Sequence, residues 1–251
     1  MPYFKHDGLD FAFLDEGEGE PILLVHGFAS NKEINWVLPL WVATLKEAGR
    51  RVIALDNRGH GASSKPHDPA AYSLPQMASD SVALLDHLGL ERVDFLGYSM
   101  GGRIGMLLAL RHPDRLRSAI LGGIGASIIT GPGRGSHIVE ALEAPSAQSI
   151  GDPIAHSFRM FAEQTKSDLK ALAACMRGLR HQFLPEELAG CGVPMLIVRG
   201  GDDKDIAGPA ADIAGIIPGC AYIEIPYRNH MTVIGDKVFK ESVIDFLRRR
   251  L

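Results

Sequence analysis

The chain has only three cysteines, Cys175, Cys191 and Cys220. The number is odd and the spacing matches no metal or redox motif, so neither a disulfide framework nor a cysteine-rich zinc site is expected. Reduced thiols in a cytoplasmic protein fit best. No apolar run is long enough to cross a bilayer. The opening residues, Met1-Pro2-Tyr3-Phe4-Lys5-His6-Asp7, lack the apolar region of a secretory signal. Runs of like charge are missing except Arg248-Arg249-Arg250, which reads as a basic helix end complementing the helix dipole. A net charge of −4 argues against nucleic acid as a partner, and nothing suggests a membrane. There is no repeat, dinucleotide fingerprint or phosphate loop. His137, His156 and His181 share no ligand spacing. No cofactor and no metal are therefore expected. The partner that remains is a small-molecule substrate, and nothing bears on oligomeric state.

Glycine and apolar residues are what the chain has in quantity. It holds 28 glycines in 251 residues and is 46% hydrophobic, enough for one large α/β domain or two small ones. Tyr3 to His6 and Leu9 to Asp15 flank Asp7-Gly8, a favoured hairpin turn, and predict an antiparallel pair at a sheet edge. Pro21 to Val25, Arg51 to Leu55, Val93 to Leu96, Ser118 to Gly123, Pro194 to Arg199 and Ala221 to Ile225 are short apolar runs, as strands covered on both faces should be. Helices are expected between them: roughly Val37 to Ala48 with Pro39 in its first turn, a helix capped by Ser73 and Gln76, and a closing helix from Lys237 to Arg250. Alternation of this kind calls for a parallel sheet with right-handed crossovers.

The rhythm breaks once. From Ile124 to Leu184 no clear strand appears. Gly131-Pro132-Gly133-Arg134-Gly135 reads as a flexible opening, followed by helices near Ile138–Leu142, Pro153–Gln164 and Asp168–Leu179. An insertion this long, with helices of its own, reads as a cap. The expected division is 1–123 for the first part of the core, 124–184 for the cap and 185–251 for the rest of the core. Phe158, Met160 and Phe161, with His137, are candidates to line a substrate pocket. Leu172, Met176 and Phe183 are available too, although cap residues more often pack than bind.

One stretch organises the rest. Val93 to Gly102 is an apolar strand that breaks into Gly97-Tyr98-Ser99-Met100-Gly101 and runs straight into a helix, Arg103 to about Arg111. A Gly-x-Ser-x-Gly turn between strand and helix holds serine at the apex of a strained bend, where side chains two residues away would collide. The helix N-terminus behind it offers unpaired amides. In open parallel sheets, functional groups gather past the carboxyl ends of the strands. Those ends here carry His26-Gly27-Phe28, Asp56, Ser99, the Asp202 to Asp205 cluster and His230. Asp56 lies in Asp56-Asn57-Arg58-Gly59-His60-Gly61, whose charges read as pins for a long loop, with Asp56 a minor rival as catalytic acid. A serine hydroxyl needs a base to take its proton, and the base needs an anion to orient it.

On these residues the chain resembles the α/β-hydrolase-fold serine hydrolases, in the branch of small esterases with a helical cap. The resemblance covers nearly the whole chain and is weakest from Ile124 to Leu184. It implies an α/β fold with a mostly parallel twisted sheet, helices on both faces and an inserted helical cap. It further implies Ser99 as nucleophile, His230 as general base and then acid, and the backbone N–H groups of Phe28 and Met100 as oxyanion donors. The orienting acid falls on Asp203 through a Gly-x-x-Asp pattern starting at Gly200, with Asp202 and Asp205 as neighbouring alternatives. Dehalogenases and epoxide hydrolases of this fold use aspartate at the elbow, so Ser99 argues against both. The expected reaction is hydrolysis of carboxylic esters of small to medium acyl groups. Carbon–carbon bond hydrolysis of a dienone-type substrate is the alternative. Cofactor-free oxygenation and a ligand-binding or signalling receptor on the same fold also stay open.

Overall fold

Eight strands form one sheet in the order β1-β2-β4-β3-β5-β6-β7-β8. They are β1 (Tyr3–His6), β2 (Leu9–Glu16), β3 (Glu20–Val25), β4 (Arg50–Leu55), β5 (Val93–Tyr98), β6 (Leu116–Gly122), β7 (Met195–Gly200) and β8 (Ala221–Ile225). β1 and β2 pair antiparallel, and β2 meets β4 antiparallel. From β4 to β8 every pairing is parallel. The computed structural model describes residues 1–131 and 135–249. Most of the opening expected at 131–135, and Arg250 of the basic run, fall outside those residues.

Both sheet faces are covered because alternate residues of each central strand serve different cores. Leu23 and Val25 of β3 join Ile53, Leu55, Phe95, Leu121 and Ile197 on one side. Ile22 and Leu24 join Val52, Leu96, Ile120 and Val198 on the other. The second side is sealed by α1 (Trp41–Glu47) and by α10 (Lys237–Arg249), through Trp41, Leu45, Phe239, Val243 and Leu247. The first is sealed by α2 (Leu74–His87) and α3 (Met100–Arg111). The expected capping box of α2 is formed: Ser73 Oγ accepts from the Gln76 amide at 3.3 Å, and Gln76 Oε1 accepts from the Ser73 amide at 3.1 Å.

Between β6 and β7 the chain leaves the sheet for α4 (Ser127–Thr130), α5 (Gly135–Glu143), α6 (Pro153–Gln164), α7 (Leu169–Gly178) and α8 (Pro185–Ala189). α9 (Ala211–Ile216) then links β7 to β8.

Two differences from expectation bear on the site. The helix predicted over Val37 to Ala48 is broken: a π turn spans Glu33–Val37, Leu40 takes φ +66°, and α1 starts only at Trp41. Two side-chain hydrogen bonds to other segments accompany the break. Asn35 Oδ1 accepts from the Gly27 amide at 3.2 Å, and Trp41 Nε1 donates to Ile234 O at 2.7 Å. One continuous helix would have to surrender one of them. The helix after Ser99 starts at Met100, three residues earlier than the apolar pattern suggested. Met100, Gly101 and Gly102 therefore supply its first-turn amides, which have no intrahelical acceptor.

Candidate active site

Ser99 sits at φ +53°, ψ −110°, a region that non-glycine residues avoid. Its amide donates to Gly122 O at 2.8 Å, which helps hold the bend. The glycines around it are required by backbone proximity. A Cβ added at Gly97 would stand 2.2 Å from Gly101 O, and one at Gly101 would stand 1.9 Å from Val25 O. Neither obstacle is a movable side chain, so even alanine would push strand and helix apart.

The bend brings Ser99 to His230. His230 Nε2 lies 2.9 Å from Ser99 Oγ, and His230 Nδ1 lies 2.6 Å from Asp203 Oδ2. With Nδ1–H donating to the carboxylate, Nε2 is left to accept the serine proton. Asp203 and His230 are 2% and 5% exposed, so both contacts form away from bulk water. The remaining Asp203 oxygen, Oδ1, accepts from the Ala207 amide at 3.1 Å. Arg199 Nη2 donates to the Asp203 carbonyl at 3.2 Å. Asp202 and Asp205 are exposed, and it is Asp203 that faces His230. The His230 loop is tied down as well. The Tyr98 hydroxyl donates to the His230 carbonyl. Asn229 Oδ1 accepts from the amides of Met231 and Thr232 at 3.0 and 3.1 Å.

Asp56 is not near this pair. Its Oδ1 accepts from the Lys32 amide at 2.8 Å, while Oδ2 accepts from Lys32 Nζ at 2.5 Å and the Ala62 amide at 2.9 Å. It pins two loops together. Arg58 grips Asp80 by two bonds of 2.7 and 2.6 Å in the same layer. His26 and His60 are buried beneath Phe28, with ring centroids 5.3 Å apart. His26 Nδ1–H donates to Gly27 O at 2.7 Å, and its Nε2 accepts from the Asn57 amide at 3.0 Å. That pairing requires the neutral ring. Burial lowers the pKa of both histidines, outweighing the Asp56 carboxylate, and takes His60 to about 3. An unfolded histidine takes up its proton near pH 6.5. The stability these rings confer is therefore complete above that pH and declines as pH falls below it, for His60 down to about 3. For His60 the slope is expected to be ~1.4 kcal/mol per pH unit. Urea unfolding at pH 7 and pH 5 should show a smaller pH difference for His60→Gln than for the wild type; equal differences would refute the assignment.

Two cavities meet at Ser99. The larger, of about 570 Å³, is walled by α3, the insertion and the loop after β7, including Ile124, Ile128, Ile138, Met176, Leu179 and Arg103. The smaller, of about 280 Å³, is bounded by Asn35, Pro39, Tyr98, Phe161, His230 and Ile234. Phe28, Ser99 and Phe158 border both.

The pocket candidates divide accordingly. Phe158 and Phe161 line cavity walls; Met160 and His137 do not. The reason is helical phase. Ile154, Ser157, Phe158 and Phe161 recur at the spacing of one face of α6, and Met160 is two residues, ~200°, around from Phe158. His137 lies 3.5 Å from Asp152 and is half exposed. Leu172 and Phe183 are buried in the core. The pocket reading missed Tyr98 and Arg103. Arg103 did leave a signal: it is the sole charge in Met100-Gly-Gly-Arg-Ile-Gly-Met-Leu-Leu-Ala109, one helical turn past the serine.

A strained serine between strand and helix, a histidine on its hydroxyl and a buried carboxylate behind the histidine, at the carboxyl edge of such a sheet, mark a hydrolase. The chain belongs to the alpha/beta hydrolase fold family, whose pattern matches residues 20–177. It is 24% identical over 271 aligned positions to a putative 2-succinyl-6-hydroxy-2,4-cyclohexadiene-1-carboxylate synthase of Bacillus subtilis, with 96% of each chain covered. It is 30% identical over 171 positions to 2-hydroxymuconate semialdehyde hydrolase of Pseudomonas putida, covering 67% of this chain and 59% of the relative. The enol-lactonase of Burkholderia xenovorans superposes with a TM-score of 0.78 at 25% identity, covering 98% of this chain and 100% of that one. Among the described residues, no helix is long and apolar enough to cross a membrane, and Cys175, Cys191 and Cys220 are free thiols.

Proposed function

We propose that the chain is a serine hydrolase that cleaves carboxylic esters of small to medium acyl groups through an acyl-enzyme. The observation that carries this reading is the continuous hydrogen-bonded line from Ser99 Oγ through His230 to Asp203. His230 Nε2 takes the hydroxyl proton as Ser99 Oγ bonds to the ester carbonyl carbon. The negative charge that forms on the carbonyl oxygen is met by the Met100 and Phe28 amides, groups aimed at charge that appears only in the transition state. Asp203 stabilises the imidazolium. The carbon–oxygen bond then breaks and the alcohol leaves with the proton from His230. Water, deprotonated by His230, releases the acid and restores Ser99. A lactone is a cyclic ester, so the likeness to an enol-lactonase supports the same bond class.

In this reading each half of the ester takes one of the two cavities, and the larger is within the usual range for small-molecule sites. The test is steady-state hydrolysis of p-nitrophenyl acetate, butyrate, octanoate and dodecanoate. Sustained turnover is expected, falling at dodecanoate. A single burst without turnover would favour the receptor reading. Carbon–carbon hydrolysis is the second reading, supported by the likeness to 2-hydroxymuconate semialdehyde hydrolase; ultraviolet-visible decay of a dienone substrate, with the esters inert, would establish it instead.

Phe158 supplies a further prediction. Because its ring borders both cavities, Phe158→Ala should widen the passage between them. The ratio of kcat/KM for dodecanoate to that for butyrate is expected to rise by about 10-fold, the scale at which apolar pockets discriminate. An unchanged ratio would place Phe158 outside acyl selection.

A further inference from the structure

Among the described residues, Arg103 is a half-buried charge in the wall of the larger cavity that hydrolysis of a plain alkyl ester leaves unexplained. The rest of the cavity wall is mainly apolar, with Lys204 and Asp205 also among its lining residues. The Arg103 guanidinium donates to two neutral carbonyls, Ser127 O at 3.2 Å and His181 O at 2.5 Å. It has no carboxylate partner among the described residues. Elsewhere in this chain half-buried or buried arginines do have one: Arg58 holds Asp80, Arg51 holds Asp15, Arg159 holds Glu163 and Arg199 holds Glu224. Burial, with no compensating charge, brings the Arg103 pKa down to about 10, so the cation persists at neutral pH at a desolvation cost. A guanidinium has five N–H donors and matches a carboxylate through two parallel bonds. Two carbonyls leave donors uncommitted beside the cavity. Arg103 follows Ser99 by four residues, a rise of ~6 Å along α3.

We propose that Arg103 is an anion-binding group of the larger cavity, and that the acyl half of the substrate ends in a carboxylate. Arg103 and Ser99 line the same cavity, which suits a short chain between that carboxylate and the scissile carbonyl. The substrate class is then monoesters or lactones of short dicarboxylic acids, a narrowing that rests on the ester-hydrolase reading above. The rival explanation is that Arg103 only braces the insertion through Ser127 and His181.

The experiment compares kcat/KM for mono-p-nitrophenyl succinate, glutarate and adipate with the neutral butyrate, valerate and hexanoate esters. The wild type is expected to favour the best anionic ester over its neutral counterpart. In Arg103→Gln, which keeps amide donors but loses the charge, that anionic-to-neutral ratio should fall by about 30-fold, the scale of a lost charge-assisted hydrogen-bond pair. Arg103→Lys should fall between. A wild type with no anionic preference, or a Gln variant in which both series fall in proportion, overturns the proposal in favour of a brace. If Arg103→Gln does not fold, glutarate serves as the probe. It should inhibit wild-type butyrate hydrolysis competitively and lose potency as salt rises; absence of inhibition overturns the proposal. Calorimetric binding of glutarate to Ser99→Ala separates the two readings. Binding without ester turnover in the wild type defeats the hydrolase reading alone, whereas ester turnover without glutarate binding defeats this proposal alone.

Discussion

Alanine at Ser99 is expected to lower kcat for p-nitrophenyl butyrate by about 10⁴-fold or more, with KM changing little. The hydroxyl lost is the group that bonds to the acyl carbon, and among the described residues it is the one hydrogen-bonded to His230 Nε2, at 2.9 Å. The oxyanion amides belong to the backbone and survive the substitution, so activity should remain above that of water. His230→Ala should cost about as much. The double variant should cost little more than either single one, because groups acting as one unit are not additive. The folded state should be unharmed, since Ser99 Oγ carries no packing load comparable to its backbone. Electrospray mass spectrometry after brief exposure to substrate supplies a second check: the wild type should carry an acyl adduct and Ser99→Ala none. A Ser99→Ala enzyme retaining a tenth of wild-type activity would remove the serine mechanism.

Asp203→Asn is the second large effect, expected at about 10⁴-fold in kcat. The carboxylate accepts from His230 Nδ1–H at 2.6 Å. An amide there can present N–H instead, which drives the proton to the opposite ring nitrogen. Nε2 would then hold a hydrogen where it must accept one from Ser99. The loss is one of tautomer and charge rather than of shape. Asp202→Asn and Asp205→Asn, both exposed, should stay within about 3-fold, the usual range for surface changes. The three variants decide among three aspartates that lie within four positions of each other. If Asp202→Asn or Asp205→Asn matched the loss at Asp203, the hydrogen-bonded line would not be the working one.

The strand pattern was legible because strands covered on both faces must be continuously apolar, and runs such as Ile22-Leu23-Leu24-Val25 have no other economical use. The elbow was legible for a similar reason. Glycine at 97 and 101 is demanded by backbone approach, and that demand leaves a written trace. Ser99, His230 and the 202–205 cluster could be placed just past strand ends from the local pattern, and their roles followed from the family resemblance. Choosing Asp203 within the cluster drew on a family pattern. In the fold that choice corresponds to an aspartate held by the amide of Ala207 and the side chain of Arg199, contacts that no local periodicity encodes.

Other features existed only in three dimensions. The break before Trp41 goes with partners at Gly27 and Ile234, the latter 193 residues away along the chain, which no window around Pro39 reveals. Met160 and Phe161 look alike as apolar letters, yet the phase of α6 sends one to a cavity and not the other. Local sequence determined where strands, turns and the strained serine had to be, because steric and hydrogen-bonding demands act between near neighbours. Tertiary structure alone decided which aspartate faces the histidine, which insertion residues wall the two cavities and which arginine is left without a carboxylate. Each of those depends on distances between segments far apart in the chain, and sequence spacing does not carry such distances.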